Sequence, residues 1–201
     1  MAKRSKTQSA KNPVPQADAV QMLKADHKQF KIIFEQHRSA SAREKTALAG
    51  RLFTELDIHT KLEEEIFYPA VRTKLEPGES FNATGRGDGL DATDVSEEGD
   101  DEMPDLEEVE MMDDDDEDEE LIATAYDEHE TVKELIQQLK SLDPEGSDYQ
   151  VLFTELEDAV IEHISGEEEV ILPIAAAQLD IQTLGIQMQR RRDDLSSSLA
   201  A

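Results

Sequence analysis

The stretches HTKLEEEIFYP at residues 59–69 and HISGEEEVILP at residues 163–173 align with each other without a gap. The repeat continues upstream, where LFTEL occurs at residues 52–56 and again at 152–156. Internal self-similarity of this kind indicates two structural units of one design. Two such helix pairs, joined by a long insertion, predict an antiparallel bundle with a pseudo-twofold axis.

Composition favours an all-α fold. Of the 201 residues, 37% are hydrophobic and only 4% are aromatic, while Gly and Pro, the poorest helix formers, number 9 and 7. A chain of this length fits one domain with tails. Because the sequence has no cysteine, disulfides and thiolate metal sites are excluded, and any metal must be bound by His, Asp or Glu.

Apolar residues at helical spacing predict four main helices and a weaker amphipathic segment after them. Asp18 is a candidate cap of the first helix, and Ser41 with Glu44 is a candidate capping box for the second. Ser147 with Gln150 is a candidate capping box for the fourth helix. The predicted ranges are 18–39, 42–74, 119–143 and 147–178, followed by the weaker segment at 180–195.

The predicted core stripes of the second and fourth helices continue past the repeated motifs. Pro69 lies near the end of the second helix, where its missing N–H should bend the last turns. The predicted core positions are Leu48, Leu52, Leu56, Ile66 and Ala70 in the second helix and Leu152, Leu156, Val160, Val170 and Ile174 in the fourth.

The formal net charge of -28 is concentrated in one segment. Residues 76–120 contain 22 Asp and Glu against one basic residue, Arg86. Residues 77–118 offer almost nothing to bury and predict a disordered acidic insertion between the second and third helices. The other predicted parts are a disordered basic tail at 1–17, a bundle domain at 18–178 that contains the insertion, and a C-terminal helix and tail at 179–201.

The composition also limits where the protein is expected to be and what it is expected to bind. No segment approaches the about 18 consecutive apolar residues of a membrane-spanning helix, and the N-terminal residues lack the apolar core of a secretion signal. We therefore expect a soluble, cytoplasmic protein that does not bind a membrane. The acidic balance disfavours binding to nucleic acid, whose phosphates attract a basic surface. The acidic insertion predicts a solvated linker, with a protein partner as the alternative.

The repeated motifs place polar residues inside the apolar stripes. Residues four apart in an α-helix differ by about 40° in direction, so His59 and Glu63 share one face. His163 and Glu167 do the same in the second copy. A buried, unpaired carboxylate is costly, so two of them in one small core need compensation. Imidazoles together with a pair of divalent metal ions would supply it.

The other two helices contribute one histidine each to the same predicted core. His27 lies on the stripe of the first helix beside Leu23, and His129 lies on that of the third beside Val132. A lone histidine on an apolar face is usually a hydrogen-bonded core residue, and this alternative would explain any one of them. Four inward histidines in a duplicated arrangement favour a metal site instead. His37 is predicted to lie at the end of the bundle and not to bind metal, because it follows His27 by about 15 Å along the helix.

Residues flanking the motifs are predicted to have smaller roles. Tyr68 and Tyr126 are predicted to be ordinary packing residues, although Tyr126, one turn before His129, could reach the site. The glutamates expected to form a solvated face, or to act as outer partners of the ligands, are Glu64, Glu65, Glu168 and Glu169.

The combined four-part pattern resembles the HHE cation-binding domain of the hemerythrin-like family. It consists of a lone His, H-x-x-x-E, a second lone His and a second H-x-x-x-E on four successive helices. The H-E-x-x-H motif of zinc proteases is absent, and the E-x-x-H of ferritin-like bundles has the opposite order. The matching residues are Asp26-His27, His59 to Glu63, Glu128-His129-Glu130 and His163 to Glu167.

This resemblance implies an up-down-up-down antiparallel four-helix bundle around a non-haem di-iron centre. Glu63 and Glu167 would be the bridging ligands. Two iron ions are the expected cofactor, with manganese or zinc as alternatives, because mixed imidazole and carboxylate ligands suit these metals. The terminal ligands would be His27, His59, His129 and His163.

One departure narrows the expected function. Oxygen-carrying hemerythrins, which this sequence is similar to, have a second His four residues after the helix-three His, where this chain has Lys133. Six protein ligands would leave about two open positions on each metal ion. We therefore expect a non-catalytic protein that senses or handles iron, dioxygen, peroxide or nitric oxide. The alternatives are a di-iron peroxidase or catalase-like enzyme, and an interaction module that metal merely stabilises.

Overall fold

The computed structural model describes residues 18–75 and 114–199, which are helical apart from short turns. The predicted all-α class is therefore confirmed. The predicted tail at 1–17, and the predicted insertion up to residue 113, lie outside the described residues. The elements are α1 (Ala19–Ser39), α2 (Ala42–Leu62) with a π-helical turn (Glu63–Phe67) and α3 (Tyr68–Leu75), α4 (Asp114–Ser141), α5 (Ser147–Gly166) with a π-helical turn (Glu167–Ile171) and α6 (Leu172–Gln178), and α7 (Ile181–Leu199).

The first two helix starts follow from the sequence. The side chain of Asp18 caps α1, because it accepts a hydrogen bond from the Gln21 N–H at 2.8 Å. The Glu44 carboxylate accepts from the Ser41 N–H at 2.9 Å in the capping box of α2. Both predicted caps are confirmed. The short connections after α1 and α4 place α1 against α2 and α4 against α5.

Two other predicted helix starts are wrong. The N-cap of α5 is Gly146, and Ser147 is already helical, so Ser147 and Gln150 form no capping box. Gln150 instead donates a hydrogen bond to the Pro144 carbonyl at 3.0 Å.

α4 begins at Asp114, inside the segment predicted to be disordered. Acidic composition does not oppose a helix start, because Asp and Glu near a helix N-terminus interact favourably with the helix dipole.

Both copies of the repeated motif contain a π-helical turn. In the first copy, the Tyr68 N–H donates to the Glu63 carbonyl five residues earlier. In the second copy, the Leu172 N–H donates to the Glu167 carbonyl in the same way. A π-helical turn holds one more residue than an α-helical turn and is frequent at functional sites. Each π-helical turn begins at one of the two predicted bridging glutamates.

The π-helical turns displace the buried stripe by one residue, so part of the predicted core is wrong. Ile66 is only partly buried, and its neighbour Phe67 is fully buried. In the second copy Val170 is 40% exposed and Ile171 is buried. The prediction assumed an uninterrupted α-helix. The same displacement replaces the predicted Ala70 and Ile174 with the buried Val71 and Ala175.

The core consists of two apolar clusters, with a polar layer between them. Leu23 and Leu62 belong to one cluster. Phe30 and Leu56 belong to the other. His27 lies between Leu23 and Phe30 along α1, so the predicted ligands occupy the boundary between the clusters.

The C-terminal segment, predicted as a weaker amphipathic helix, forms α7 and packs on α1 and α2. Leu184 and Met188 are its buried contacts with the core. None of the helices in the described ranges has, by itself, the length and apolar character needed to cross a membrane. One pair, Ser147–Gln178 with Ile181–Leu199, meets both criteria when taken together, but it is bent by 114°.

Candidate metal centre

All six predicted ligand residues lie in the polar layer between the two clusters. Each of them is at most 4% exposed. Their donor atoms fall into two groups, and the atoms within a group all lie within 4.8 Å of one another. The first group is His27, His59, Glu63 and Glu167, and the second group is Glu63, His129 and His163.

Glu63 belongs to both groups. Its Oε2 lies 3.1 Å from His59 Nε2, on the same helical rod. The same oxygen lies 3.3 Å from His129 Nε2, which comes from the other half of the repeat. This carboxylate therefore joins the two halves of the polar layer.

Glu167 takes the equivalent place in the second copy. Its Oε2 lies 3.2 Å from His27 Nε2 and 3.5 Å from His163 Nε2. His163 Nε2 also lies 3.2 Å from His129 Nε2. Each glutamate is thus placed between a histidine of its own rod and one from the opposite half.

Several buried atoms of this layer lack a hydrogen-bond partner in the described residues. They are His27 Nε2, His59 Nε2, both carboxylate oxygens of Glu63, and Glu167 Oε2. The atoms approach one another closely, but their orientations do not form hydrogen bonds. Unpaired buried polar atoms are rare and costly, so a concentration of them calls for a ligand. All of them belong to the first group.

The outer ring nitrogen of every ligand histidine faces a carboxylate. Such partners fix the tautomer of a metal-binding imidazole and aim its other nitrogen at the metal. Each pair in one half has an equivalent pair in the other, as a pseudo-twofold axis requires. The contacts are His27 Nδ1 to Glu168 at 3.0 Å, His59 Nδ1 to Asp26 at 3.3 Å, His129 Nδ1 to Glu64 at 2.9 Å and His163 Nδ1 to Glu128 at 2.8 Å.

Sequence reasoning missed two of these four carboxylates. Glu64 and Glu168 were among the glutamates that it left as solvated or outer partners. Asp26 and Glu128 were not singled out for a role, although each directly precedes a lone histidine. This acid–His pair, repeated in both halves, was the available signal.

The two buried carboxyl groups differ in proton affinity. Burial and the nearby charge of Glu167 raise the pKa of Glu63 well above its ordinary value. Burial would also raise the pKa of Glu167, but contact with His27 Nε2 and the charge of His163 lower it to about 2. Without metal, the favoured state therefore has Glu63 protonated and Glu167 ionised.

Two of the imidazoles, those of His59 and His129, are held in the neutral form that binds metal. Burial lowers the pKa of His59 to about 4, although the hydrogen bond with Asp26 acts in the opposite direction. Burial likewise lowers the pKa of His129 against the hydrogen bond with Glu64. Neutral imidazole is the ligand state, so these histidines need not lose a proton near neutral pH to coordinate.

Tyr68 lies at the site, and its prediction as an ordinary packing residue is wrong. Its hydroxyl donates to Glu167 Oε1 at 2.8 Å and lies 3.3 Å from His129 Nε2. In an uninterrupted α-helix, a residue five positions after Glu63 would point about 140° away from it. The extra residue of the π-helical turn rotates Tyr68 back toward the site. The equivalent residue of the second copy is Leu172, which has no polar atom.

Tyr126 completes the backbone pairing of the first π-helical turn. In the π pattern, the Glu64 carbonyl would accept from residue 69, but Pro69 has no N–H. The Tyr126 hydroxyl donates to that carbonyl at 3.2 Å instead. A partly buried carbonyl is thereby satisfied, and the turn that positions Tyr68 is stabilised.

The other histidine and glutamates discussed from the sequence lie away from the two groups of donor atoms. The ring of His37 stacks on Phe153, with 3.8 Å between the centroids, and belongs to neither group. Glu65 is exposed and binds Arg191 on α7. Glu169 is exposed as well. The flanking glutamates are therefore of two kinds, one pair facing the histidines and the other facing solvent.

Comparison with known proteins agrees with this geometry. A family model, the hemerythrin HHE cation binding domain, matches residues 18–86 and 96–175. The chain belongs to this family. A crystal structure of a hemerythrin HHE cation binding domain-containing protein from Mycobacterium kansasii has the same fold, with a TM-score of 0.62 and 20% identity over 90% of this chain and 89% of that one.

A second relative of this HHE-domain protein is much longer. A protein named DNA nickase, from Nostoc sp. (strain PCC 7120), is 22% identical over 151 residues. The match includes 75% of this chain but only 31% of that protein. The chain therefore spans about a third of the length of this curated relative.

The HHE domain of this chain carries a lysine one turn after each lone histidine. Lys133 donates to Glu64 Oε1 at 2.8 Å, and Glu64 in turn holds His129. Lys31 lies 3.9 Å from Glu168 in the other half. Lys133, at the position that distinguishes this sequence from oxygen carriers, therefore contacts the partner of a candidate ligand and supplies no metal donor atom of its own.

Proposed function

We propose that the polar layer of this HHE-domain protein binds two metal ions, with iron as the preferred metal. The first metal would be held by the first group and the second metal by the second group. Glu63 would serve both metals, and Glu167 would complete the bridge from the opposite side. The protein would sense or handle iron, dioxygen, peroxide or nitric oxide.

The observation that carries this proposal is the concentration of unpaired donor atoms in a layer that excludes water. His27, His59, Glu63 and Glu167 direct such atoms at one another, and each is at most 2% exposed. Without a cation these buried groups are only partly compensated, because a proton on Glu63 neutralises one carboxylate and leaves the other donor atoms without a bond. A divalent ion between them removes that cost, because it accepts their lone pairs and replaces the proton of Glu63.

The separations between donor atoms also fit metal coordination. For bonds of about 2.1 Å, neighbouring donors lie about 3.0 Å apart in an octahedron and about 3.4 Å apart in a tetrahedron. The nitrogen–oxygen separations in the layer are 3.1, 3.2, 3.3 and 3.5 Å. Imidazole and carboxylate donors suit iron, manganese and zinc, so metal identity rests on analysis of the protein itself.

The chain's own residues would orient the centre and limit access to it. The four outer carboxylates fix the ring directions, and the apolar clusters on either side keep bulk water away. Iron bound there would supply redox change and affinity for small oxygen and nitrogen oxides. Six protein donors leave room for such a molecule at the centre.

A peroxidase or catalase-like enzyme is the alternative function, and Tyr68 favours it. Its buried hydroxyl lies beside the second group and can hold a proton for a reacting oxygen species, while it orients Glu167. Steady turnover of hydrogen peroxide by the iron-loaded protein, lost in Tyr68→Phe, would support the enzyme. Binding without turnover would support the non-catalytic function.

Finer features of the molecule belong to the same proposal. We infer that α1, α2–α3, α4 and α5–α6 form an up-down-up-down antiparallel four-helix bundle, and that α7 packs on its outside. The segment before α4 is expected to act as a solvated linker or to contact a protein partner. Because the chain matches only 31% of the protein named DNA nickase, that activity is not transferred to it.

Metal analysis of the purified protein, produced without a histidine tag, tests the proposal. We expect two metal ions per chain in the wild type. His59→Ala removes a donor of the first group only, and His163→Ala removes a donor of the second only, so each should retain about one ion. If neither substitution lowers the metal content, the site assignment is wrong.

A further inference from the structure

The four outer carboxylates are not held equally firmly. Arg192 donates two hydrogen bonds to Asp26, from Nη1 to Oδ1 at 2.9 Å and from Nη2 to Oδ2 at 2.5 Å. We call this paired contact the clamp on Asp26. The side chains of Asp26 and Arg192 are only 17% and 27% exposed. The same Asp26 Oδ2 faces His59 Nδ1. A continuous chain of contacts therefore runs from α7 to a predicted ligand of the first group.

The equivalent carboxylate in the other half has no such clamp. Glu128 faces His163 Nδ1 at 2.8 Å, and its side chain is 34% exposed. Across residues 18–75 and 114–199, neither a lysine nor an arginine forms an ion pair with Glu128. The outer partner of His163 is thus the more exposed and the less constrained of the two.

Arg192 is presented by a helix that is anchored on both sides of it. Leu184 and Met188 pack into the apolar core one to two turns before it, and Leu195 packs against the same cluster three residues after it. The neighbouring Arg191 forms a separate, exposed pair with Glu65. The guanidinium of Arg192 also offsets part of the cost of burying the Asp26 carboxylate, because it donates a hydrogen bond to each carboxylate oxygen.

We propose that Arg192 is a positioning residue for the metal site: it fixes Asp26, which fixes His59, and it thereby slows release of the ion from the first metal position. This inference rests on the proposed two-metal function. A planar guanidinium that binds a carboxylate through two parallel hydrogen bonds sets its orientation as well as its charge. Loss of an outer partner of a metal ligand typically costs about 10–100-fold in metal affinity.

Release of ferrous iron from the full-length chain tests the inference. The protein is loaded with Fe(II) in the absence of oxygen and mixed with excess coloured ferrous chelator. The wild type should release two ions in two separable phases. Arg192→Gln should accelerate one of the two phases by about 10–100-fold and leave the other phase unchanged. Arg192→Lys keeps the charge but not the paired hydrogen bonds. Its release rate should therefore lie between those of the wild type and Arg192→Gln.

Arg191→Gln is the matched control, because it breaks an ion pair on the same helix that touches no ligand partner. It should leave both phases unchanged. In an Asp26→Ala background, Arg192→Gln should add less than about twofold, since residues that act through one contact are not additive. Circular dichroism confirms that the variants remain helical.

Several outcomes would overturn the inference. One is equal acceleration of both phases by Arg192→Gln, which would mean that the substitution only loosens the fold. Another is release of both ions from Arg192→Gln at the wild-type rates, and a third is a full additional effect of Arg192→Gln in the Asp26→Ala protein. Any of these results, obtained with two ions bound, would reject the inference but leave the proposed function standing. A wild type that binds no iron would reject both.

Discussion

The two halves of this molecule share one design and differ at a few single positions. Both place a lone histidine, an H-x-x-x-E motif and a π-helical turn around the polar layer. Tyr68 in the first half corresponds to Leu172 in the second. His37, ten residues after His27, corresponds to Leu139 by the same spacing. Within the described residues, the Arg192 clamp on Asp26 likewise has no counterpart at the equivalent Glu128.

The residues that the two halves share and the residues that differ between them are expected to have different roles at the centre. The duplicated residues supply the donor atoms and their outer carboxylates in pseudo-twofold pairs. The unduplicated residues act on one half only. We therefore expect substitutions at duplicated positions to change metal content, and substitutions at unduplicated positions to change stability, pH response or release rate without abolishing binding.

The largest effect is expected from Glu63→Ala. Glu63 is the one residue common to both groups, so its loss removes a donor from both metal positions at once. Metal content should fall from two ions per chain to about none after gel filtration. Glu169→Gln, an exposed glutamate of the second copy, is the control and should retain two. Retention of two ions by the Glu63 variant would show that the halves do not share a ligand.

The second expected effect is on thermal stability. A ligand that binds only the folded state at about 1,000 times its Kd stabilises by about 4 kcal/mol. For a domain of this size, that corresponds to roughly 8–16 °C in Tm. Ferrous iron, added without oxygen, should raise the Tm of the wild type by this order and leave Glu63→Ala unchanged. An equal rise in both proteins would place the stabilising ion outside the polar layer.

Tyr68→Phe should have a smaller effect, confined to the half that carries the hydroxyl. The substitution leaves Glu167 Oε1 without its 2.8 Å donor in a buried environment. The metal-free protein should lose roughly 1–3 kcal/mol of unfolding free energy in urea titrations. Leu172→Met, the volume-conserving change at the counterpart position, should cost less than about 1.5 kcal/mol. An unchanged free energy of unfolding in Tyr68→Phe would mean that the hydrogen bond of Tyr68 does not stabilise the Glu167 carboxylate.

The smallest effect concerns pH. Burial, together with the positive charge of Lys45, lowers the pKa of His37 to about 4. The unfolded chain binds this proton more tightly, so the contribution of neutral His37 is complete above about pH 6.5 and is lost as the pH falls toward 4. His37→Leu, which copies Leu139, should reduce this loss by roughly 1–2 kcal/mol after allowance for solvent screening.

The matching measurement is urea unfolding of metal-free protein at pH 7 and pH 4.5. The wild type and the His37 variant should differ in how much stability each loses between the two pH values. Equal losses would assign the pH dependence to groups that both proteins keep, such as Asp26.

The all-α class, and the burial of six histidine and glutamate side chains in one layer, could be predicted because they follow from local rules. The i,i+4 spacing of His59 and Glu63 fixes a shared face in any regular helix. The second copy at His163 and Glu167 makes coincidence a poor explanation. The helix caps at Asp18 and Ser41 were also predictable, since their partners lie three residues away.

The displaced stripe and the role of Tyr68 could not be predicted from periodicity. A period of 3.6 residues assumes one hydrogen-bond pattern, and a π-helical turn changes the direction of every residue beyond it. Phe67 and Ile171 therefore replaced the expected Ile66 and Val170 in the core. The two prolines that follow the turns, Pro69 and Pro173, were the only local hint, because each leaves a carbonyl that the backbone cannot satisfy.

The arrangement of outer contacts depends on distance in space and not in sequence. Asp26 holds His59, and Arg192 holds Asp26 from the far end of the chain. Neither pairing has a sequence spacing that predicts it. Once the folded helices bring these groups together, elementary electrostatics explains why they stay paired.

Anomalous X-ray diffraction from a crystal of the iron-loaded protein, recorded at the iron absorption edge, tests the central claim most directly. We predict two peaks inside the polar layer, each within about 2.0–2.2 Å of donor atoms from its own group, with Glu63 close to both. Peaks only at the protein surface, or a polar layer without any peak, would contradict the proposal that these six side chains hold two metal ions.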